Sequence, residues 1–215
     1  MKQCSLLVSF FICVTFLTMG FQCEKLYTVP VPTYEFTEKL SLTPYKKIYA
    51  INDTIWVQFQ TTNKTLFDKL SGNRVATDTS FLQVGFSLNR LFPLGNTVEL
   101  FSDVKVENGL NILFKPLSQS NNDLTFKTAC SDNRYFFRIG IIPKKIGVYI
   151  VAARSDVSPC PSQINQPYST FKFTFDLADC NKDIFLSIPP ESRGGQLGYT
   201  DVSIDKKELF AFRVE

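Results

Sequence analysis

The stretch TIWVQFQT, residues 54–61, decides the fold class. Every second residue from Ile55 to Phe59 is apolar, and the residues between them are Trp or Gln. Alternation with a period of two is typical of a β-strand that buries one face. The same period recurs in FLQVGFSL (81–88), TVELFSDVKV (97–106) and STFKFTF (169–175). The sequence therefore predicts an all-β protein.

The connections between the apolar runs support an antiparallel sandwich. Asn108-Gly109 lies between two such runs and predicts a hairpin, because Asn-Gly supplies the positive φ angles that a tight turn needs. Counting the apolar runs and the turns between them, we predict about eleven strands. One exception is TLFDKLSGN (65–73), which predicts one or two helical turns ended by Gly72.

The N-terminus has the layout of a secretory signal peptide. Lys2 is followed by an apolar run that carries no charge before Glu24. We predict a signal peptide over 1–20 and a single β-sandwich domain over 21–215, with cleavage after Gly20. Lipoprotein processing is an alternative: residues 1–22 would then be removed and Cys23 acylated. A third reading is a membrane anchor that stays in place, although the run is slightly short for one.

Cysteine usage agrees with an exported protein, located in the periplasm, the cell envelope or the medium. Six cysteines are present, and the two at positions 4 and 13 would leave with the signal peptide. The four that remain suit two disulfides in an oxidising compartment. If Cys23 carries a lipid, three remain and one of them is left unpaired.

One disulfide, Cys130–Cys160, is predicted from a hairpin. If PKKIG (143–147) connects two antiparallel strands, its centre is Lys145, and both cysteines lie 15 residues from it. Opposed residues in such a pair have α-carbon spacings that a disulfide can bridge. Cys180 would then pair with an unlipidated Cys23 or stay free. The alternative pairing is Cys160 with Cys180, across a shorter gap.

Charge and composition argue against several functional classes. The formal net charge is +3 at pH 7, which gives no reason to propose nucleic acid or an anionic membrane as a partner. The chain has no histidine, the commonest general base and metal ligand. We therefore predict no cofactor, no metal site and no catalytic residues. Membrane contact would come only through a lipid on Cys23.

A resemblance supports this reading. The segments LSLTPYKKIYAINDTIWVQFQ (40–60) and IIPKKIGVYIVAA (141–153) resemble paired strands of an immunoglobulin-like sandwich. With its exported start, the layout is similar to uncharacterised exported or lipoprotein-type β-proteins of Gram-negative bacteria of the Bacteroidota kind. The resemblance implies an enlarged immunoglobulin-like sandwich. That family carries no assigned active site, so the resemblance implies no functional residues.

Three functions follow as hypotheses. The first is an envelope or secreted protein with a structural or binding role, whose partner would be a protein or a glycan. Its contacts would lie on loops 89–97, 155–168 and 189–207. The second is a carbohydrate-binding or accessory module of a polysaccharide system, with Trp56 as the first residue to test. The third is a hydrolase that uses two carboxylates.

Several smaller motifs have ordinary structural explanations. The phenylalanines recur at alternate positions and are predicted to fill the core. Sequons at Asn52 and Asn63 are predicted to be unmodified polar turns, although both match a glycosylation acceptor. The acids of FDLADCNKDIF (175–185) are predicted to be solvated, since their spacing does not match a calcium loop.

Overall fold

Two β-sheets pack face to face in a computed structural model of the chain. The structure describes residues 33–93, 104–107, 115–119, 123–160, 169–194 and 199–215; for 104–107, 115–119 and 123 it describes the backbone alone. These residues form thirteen strands and three helices of five residues each. The cleavage site, Cys23 and the Asn108-Gly109 turn lie outside the described residues.

The strands are numbered in chain order. They are β1 (Tyr34–Thr43), β2 (Ile48–Tyr49), β3 (Ile55–Gln60), β4 (Thr65–Asp68), β5 (Asn73–Ala76), β6 (Ser80–Phe92), β7 (Val104–Glu107), β8 (Lys115–Gln119), β9 (Asp123–Lys127), β10 (Phe136–Ile141), β11 (Gly147–Pro159), β12 (Ser169–Phe175) and β13 (Leu209–Val214). The helices are α1 (Lys182–Leu186), α2 (Pro190–Gly194) and α3 (Asp201–Asp205). Within the described residues no helix could cross a membrane.

The prediction of an all-β sandwich is confirmed. The first sheet has the strand order β5-β4-β1-β3-β10-β7, and β12 also pairs with β1. The second sheet has the order β2-β13-β11-β6-β9-β8. Two sheets in contact do not by themselves define the immunoglobulin-like class, and that finer resemblance stays a prediction.

The period-two pattern correctly identified the inward faces. Ile55, Val57 and Phe59 are buried on β3, as the alternation predicts. Most of the described phenylalanines are buried in the core, as predicted, whereas Phe92 is exposed. The Phe137 ring lies at the centre, and its centroid is 5.3–5.8 Å from those of four other rings, two in each sheet. They are Phe59 and Phe173 in the first sheet and Phe86 and Phe126 in the second.

Most of the described strand pairs are antiparallel, as predicted, but two are parallel. β1 pairs with β12 in parallel from Tyr34–Ser169 to Leu40–Phe175, and β13 pairs with β2 in parallel. Parallel neighbours need long crossover connections. Strand alternation reports which residues face inward, and it carries no signal for the direction of a partner that is far away in the chain.

The predicted hairpin between β10 and β11 was also wrong. β10 pairs with β3 and β7 in the first sheet, whereas β11 pairs with β6 and β13 in the second. The connection at 142–146 therefore crosses between the sheets. Ile139 faces Val57 and Val106, and it does not face Val151. A short connection with a proline suits a sheet crossing as well as a hairpin, so its length could not distinguish them.

The disulfide Cys130–Cys160 is nevertheless present. Its α-carbons are 6.0 Å apart. β9 and β11 flank β6, and both run antiparallel to it, so both end near the start of β6, β11 opposite Ser80 and β9 opposite Gln83. Each cysteine lies just beyond the end of one of these two strands. The pairing was predicted correctly, but its geometry comes from a shared neighbour strand and not from a hairpin.

Two further expectations need correction. The segment 65–73 is not helical: it forms β4 and the start of β5, joined by a turn in which the Asp68 carboxylate accepts the backbone N–H groups of Leu70 and Ser71. Gly72 has a φ of 71°, which suits glycine in that turn. The predicted loops 89–97 and 155–168 begin inside β6 and β11, because these strands pair over most of their length.

The third predicted loop, 189–207, contains two short helices. In α3, the Thr200 side chain accepts the backbone N–H of Ser203, and this hydrogen bond caps the helix. Ile204 of α3 is buried in the core. Part of this segment is therefore packed and is unavailable as a mobile contact loop.

Candidate functional site

The outward face of the first sheet presents a row of large polar and aromatic side chains. On β3 this row consists of Trp56, Gln58 and Gln60, which alternate with the buried core residues. Gln60 is exposed, and the other two are half-buried. Because a strand rises by about 3.3 Å per residue, the row spans roughly 13 Å. We call these three residues the β3 row.

Trp56 lies beside a glycine of the neighbouring strand, which leaves room for the indole ring. Its register partner on β10 is Gly140. A Cβ atom at Gly140 would lie 3.1 Å and 3.2 Å from two atoms of the indole ring, so a larger residue there would displace the ring. The Arg138 guanidinium carbon lies 4.3 Å from the indole centroid, which is a close cation–π contact. The indole and the guanidinium therefore form one combined aromatic and cationic surface on the sheet.

Neighbouring strands widen this face with further polar groups. On β1, Ser41 pairs with Gln58 and Thr43 pairs with Trp56, and both hydroxyl residues are exposed. On the other side, Phe136 of β10 pairs with Gln60. The Arg134 guanidinium lies 5.8 Å from the Phe136 ring centroid, which repeats the arginine–aromatic contact near the far end of the row.

A polar groove of about 440 Å³ adjoins the Gln60 end of the β3 row. Seven residues line it, and every one of them has a polar side chain. They are Glu38, Gln60, Thr61, Thr62, Asn63, Thr65 and Arg74. The groove therefore offers hydrogen-bonding groups to a ligand.

Hydrogen bonds hold the groove wall in place. Arg74 Nη2 donates to Glu38 Oε1 at 2.6 Å, and Arg74 Nε donates to Thr65 Oγ1 at 3.0 Å. Thr65 Oγ1 in turn donates to Asn63 Oδ1 at 2.8 Å. Glu38 also accepts the backbone N–H of Phe67. The chain of contacts links three strands and the turn before β4, so the polar groups have fixed positions.

Lys64 lies behind the groove with its side chain in the interior. Only 2% of the residue is exposed. Its ammonium group donates to the carbonyl of Cys130 at 2.8 Å, and it approaches the carbonyls of Ala129 and Asp78 at 3.4 Å and 3.5 Å. Burial lowers the pKa of Lys64 from its usual range. These contacts connect the turn that precedes β4 and lines the groove, which we call the groove turn, to the disulfide.

A tyrosine completes this interior network. The Tyr135 hydroxyl donates to Thr77 Oγ1 at 2.9 Å, and its backbone N–H donates to Thr61 Oγ1 at 2.9 Å. Lys64 Nζ lies 5.7 Å from the centroid of the Tyr135 ring. Burial raises the pKa of Tyr135 to about 12, so its hydroxyl stays a hydrogen-bond donor at neutral pH.

Asp132 adds a carboxylate near Lys64. Burial raises its pKa, and the charge of Lys64 partly offsets that rise. Asp132 Oδ2 is buried and has no hydrogen-bond partner among the described residues. Lys64 and Asp132 therefore influence each other's pKa values, although their charged groups form no close ion pair in the described part of the chain.

The remaining predicted residues lie elsewhere. Cys180 is fully buried and forms no disulfide within the described residues, while Cys23 falls outside them. Asp176, Asp179 and Asp183 each contact a different side chain, Lys39, Tyr45 and Lys47 respectively. Among the residues that the structure describes, no group of ligand side chains could hold a metal ion.

The Cys180 thiol is expected to be unreactive in the folded protein. Burial raises its pKa to about 11, and the nucleophilic thiolate is therefore scarce at neutral pH. We expect iodoacetamide to leave Cys180 unmodified under native conditions and to alkylate it fully after unfolding, as read by peptide mass spectrometry. Rapid native labelling, or a peptide that links Cys180 to Cys23, would contradict this expectation.

Sequence reasoning missed Lys64, Gly140 and the groove. Lys64, immediately before β4, and Leu66 and Asp68 within it are all buried, so a charged residue stands at two of the three inward positions. That charged pattern concealed the strand. The contact between Trp56 and Gly140 depends on strand pairing across the chain, for which the sequence offers no local signal.

Comparisons with known proteins do not extend this picture. No protein-family model matches the chain. No curated protein matches it either.

Proposed function

We propose that the protein is an exported binding module of the cell envelope or the secreted fraction, without catalysis of its own. The observation that carries the proposal is the β3 row with its adjoining groove on a sheet that a dense core holds rigid. Ligand-binding sites combine a concave surface with a few polar groups in fixed positions, and this face has both.

Two features support export. The signal-like N-terminus predicts secretion, and the Cys130–Cys160 disulfide is of a kind that persists in oxidising compartments. Lipid attachment at Cys23 belongs to the same proposal as an alternative mode of anchoring.

Export is tested by mass spectrometry of the protein isolated from its native host. We expect the mature chain to begin at Phe21, or at an acylated Cys23. A chain that begins at Phe21 is a free protein, whereas an acylated Cys23 indicates an anchored one. The acylated form is recognised by the added mass of its ester-linked acyl chains, which treatment with base removes. An intact Met1 terminus on the native protein would contradict both.

The binding role is tested by removing the β3 row. We expect a variant with Trp56→Ala, Gln58→Ala and Gln60→Ala to lose retention on immobilised envelope polysaccharides and proteins from the native host. The matched control is Phe81→Ala with Gln83→Ala, which changes outward residues on β6 of the second sheet. Equal retention of the wild-type protein and the β3 variant would contradict the proposed binding face.

A further inference from the structure

We propose that the groove and the β3 row bind an uncharged polysaccharide chain, with sugar hydroxyls in the groove and a sugar ring on the Trp56–Arg138 surface. The inference rests on the proposed binding function and specifies the ligand of the same face. It follows from the hydrogen-bonding groups of the groove, the balance of its charges and the Trp56–Arg138 surface at the other end.

The groove lining matches the hydrogen-bonding needs of hydroxyl groups. A sugar hydroxyl donates one hydrogen bond and accepts others, so it is best met by groups that both donate and accept. The amides of Gln60 and Asn63 do both, and so does the hydroxyl of the exposed Thr62. The hydroxyls of Thr61 and Thr65 already make hydrogen bonds within the protein and shape the wall. A ligand rich in hydroxyls can therefore satisfy this wall and be satisfied by it.

The groove charges favour a ligand without net charge. Glu38 and Arg74 are the charged residues of the lining, and their side chains are in direct contact at 2.6 Å. An anionic ligand would have to compete with Glu38 for Arg74, and a cationic ligand would have to compete with Arg74 for Glu38. A neutral polyol can accept from one and donate to the other while the ion pair stays intact.

The other end of the row offers a surface of different chemistry. One face of a sugar ring carries mainly C–H groups, and aromatic faces are the usual partners for such amphipathic rings. Two atoms of the Trp56 indole lie close to Gly140, and the Arg138 guanidinium lies over the ring at 4.3 Å from its centroid. A sugar ring would therefore pack against the combined indole and guanidinium surface, where the guanidinium N–H groups can donate to its hydroxyls. Ring stacking and hydroxyl recognition can therefore occur together.

The distance between the two ends suits a polymer better than a single sugar. The β3 row spans roughly 13 Å from Trp56 to Gln60, and the groove extends beyond it. A monosaccharide could contact one end but not both. A chain of linked sugar rings that lies along β3 contacts Trp56, Gln58 and the groove in turn.

The experiment is affinity electrophoresis of the folded, full-length protein in gels that contain one soluble polysaccharide each. The neutral probes are glucan, mannan, xylan and galactan, and the acidic probes are alginate and polygalacturonate. We expect at least one neutral probe to retard the wild-type protein and the acidic probes to have a weaker effect. Trp56→Ala and Gln60→Ala are each expected to weaken that binding by about tenfold or more, as loss of stacking or of a groove hydrogen bond implies.

Matched variants on the second sheet control for general surface effects. Phe81→Ala removes an aromatic ring that carries its own cation contact, with Lys127 Nζ at 4.9 Å from the ring centroid. Gln83→Ala removes an outward amide of the same strand. Both are expected to bind as the wild-type protein does. Because Gln60 is exposed, its substitution tests the site even if the Trp56 variant folds poorly.

The outcomes separate the two proposals. Retardation by acidic probes alone would overturn the inferred ligand. Retardation by a neutral probe that the Phe81 and Gln83 substitutions weaken as much as the Trp56 and Gln60 substitutions do would overturn the inferred site. No retardation by any probe, together with row-dependent retention of an envelope protein, would overturn the inference and leave the binding function supported. If neither assay depends on the β3 row, both proposals fail.

Discussion

Replacing Cys130 and Cys160 together by alanine is expected to lower the free energy of unfolding by roughly 3–4 kcal/mol. The two residues are separated by 30 positions, and opening a loop of that length gives the unfolded chain many more conformations. Within the described residues, no other disulfide joins β9 to β11. Most of the effect therefore acts on the unfolded state.

The measurement is urea unfolding followed by tryptophan fluorescence and circular dichroism. The variant should unfold at a lower denaturant concentration, and its m-value should rise because a less constrained chain exposes more surface. Reductant should bring the wild-type protein close to the variant and leave the variant unchanged. A wild-type transition that reductant does not move would show that the disulfide contributes little.

The same disulfide shows how far sequence reasoning reaches. The distance of each cysteine from Lys145 suggested the right pair through a hairpin that does not exist. What brings the cysteines together is β6, which lies between β9 and β11. Local alternation could predict inward faces and strand existence, because burial repeats every second residue. It could not predict sheet membership, which depends on partners far away in the chain.

The candidate site likewise has one part that the sequence could predict and one part that it could not. Trp56, Gln58 and Gln60 could be recognised as outward residues of one strand from TIWVQFQT alone. The groove could not, since Glu38 comes from β1 and Arg74 comes from β5. These strands meet only through their pairing with β4. Five of the seven lining residues lie within 60–65, but Glu38 and Arg74 complete the groove from distant parts of the chain, so the whole site leaves no continuous motif in the sequence.

Replacing Lys64 by methionine is expected to lower the free energy of unfolding by roughly 2–4 kcal/mol at neutral pH. Methionine retains most of the apolar stem but leaves the Cys130 carbonyl and two weaker acceptors without their buried donor. Each unsatisfied buried group has a cost, whereas removing a buried charge offsets part of it. Leu66→Ala, an inward apolar change on the adjacent strand, serves as a comparison for simple loss of packing.

The pH dependence identifies the buried charge itself. Burial lowers the pKa of Lys64 below its ordinary value of 10.5, so the unfolded chain keeps this proton to higher pH than the folded protein does. The wild-type protein should therefore gain stability relative to Lys64→Met as pH rises toward 10.5. That gain should be lost as pH falls through the folded pKa. A difference that does not change with pH, or that shrinks as pH rises, would contradict a buried charged lysine.

Combining the two changes tests whether Lys64 and the disulfide act as one unit. The strongest acceptor of Lys64 is the carbonyl of Cys130, whose position the disulfide restrains. Without the disulfide, that carbonyl can turn toward water, and the loss of Lys64 should then cost less. We expect the triple variant Lys64→Met, Cys130→Ala and Cys160→Ala to be more stable than the sum of the separate losses implies, by about 1 kcal/mol or more. Additive losses within about 0.5 kcal/mol would show that the lysine and the disulfide hold the groove turn independently.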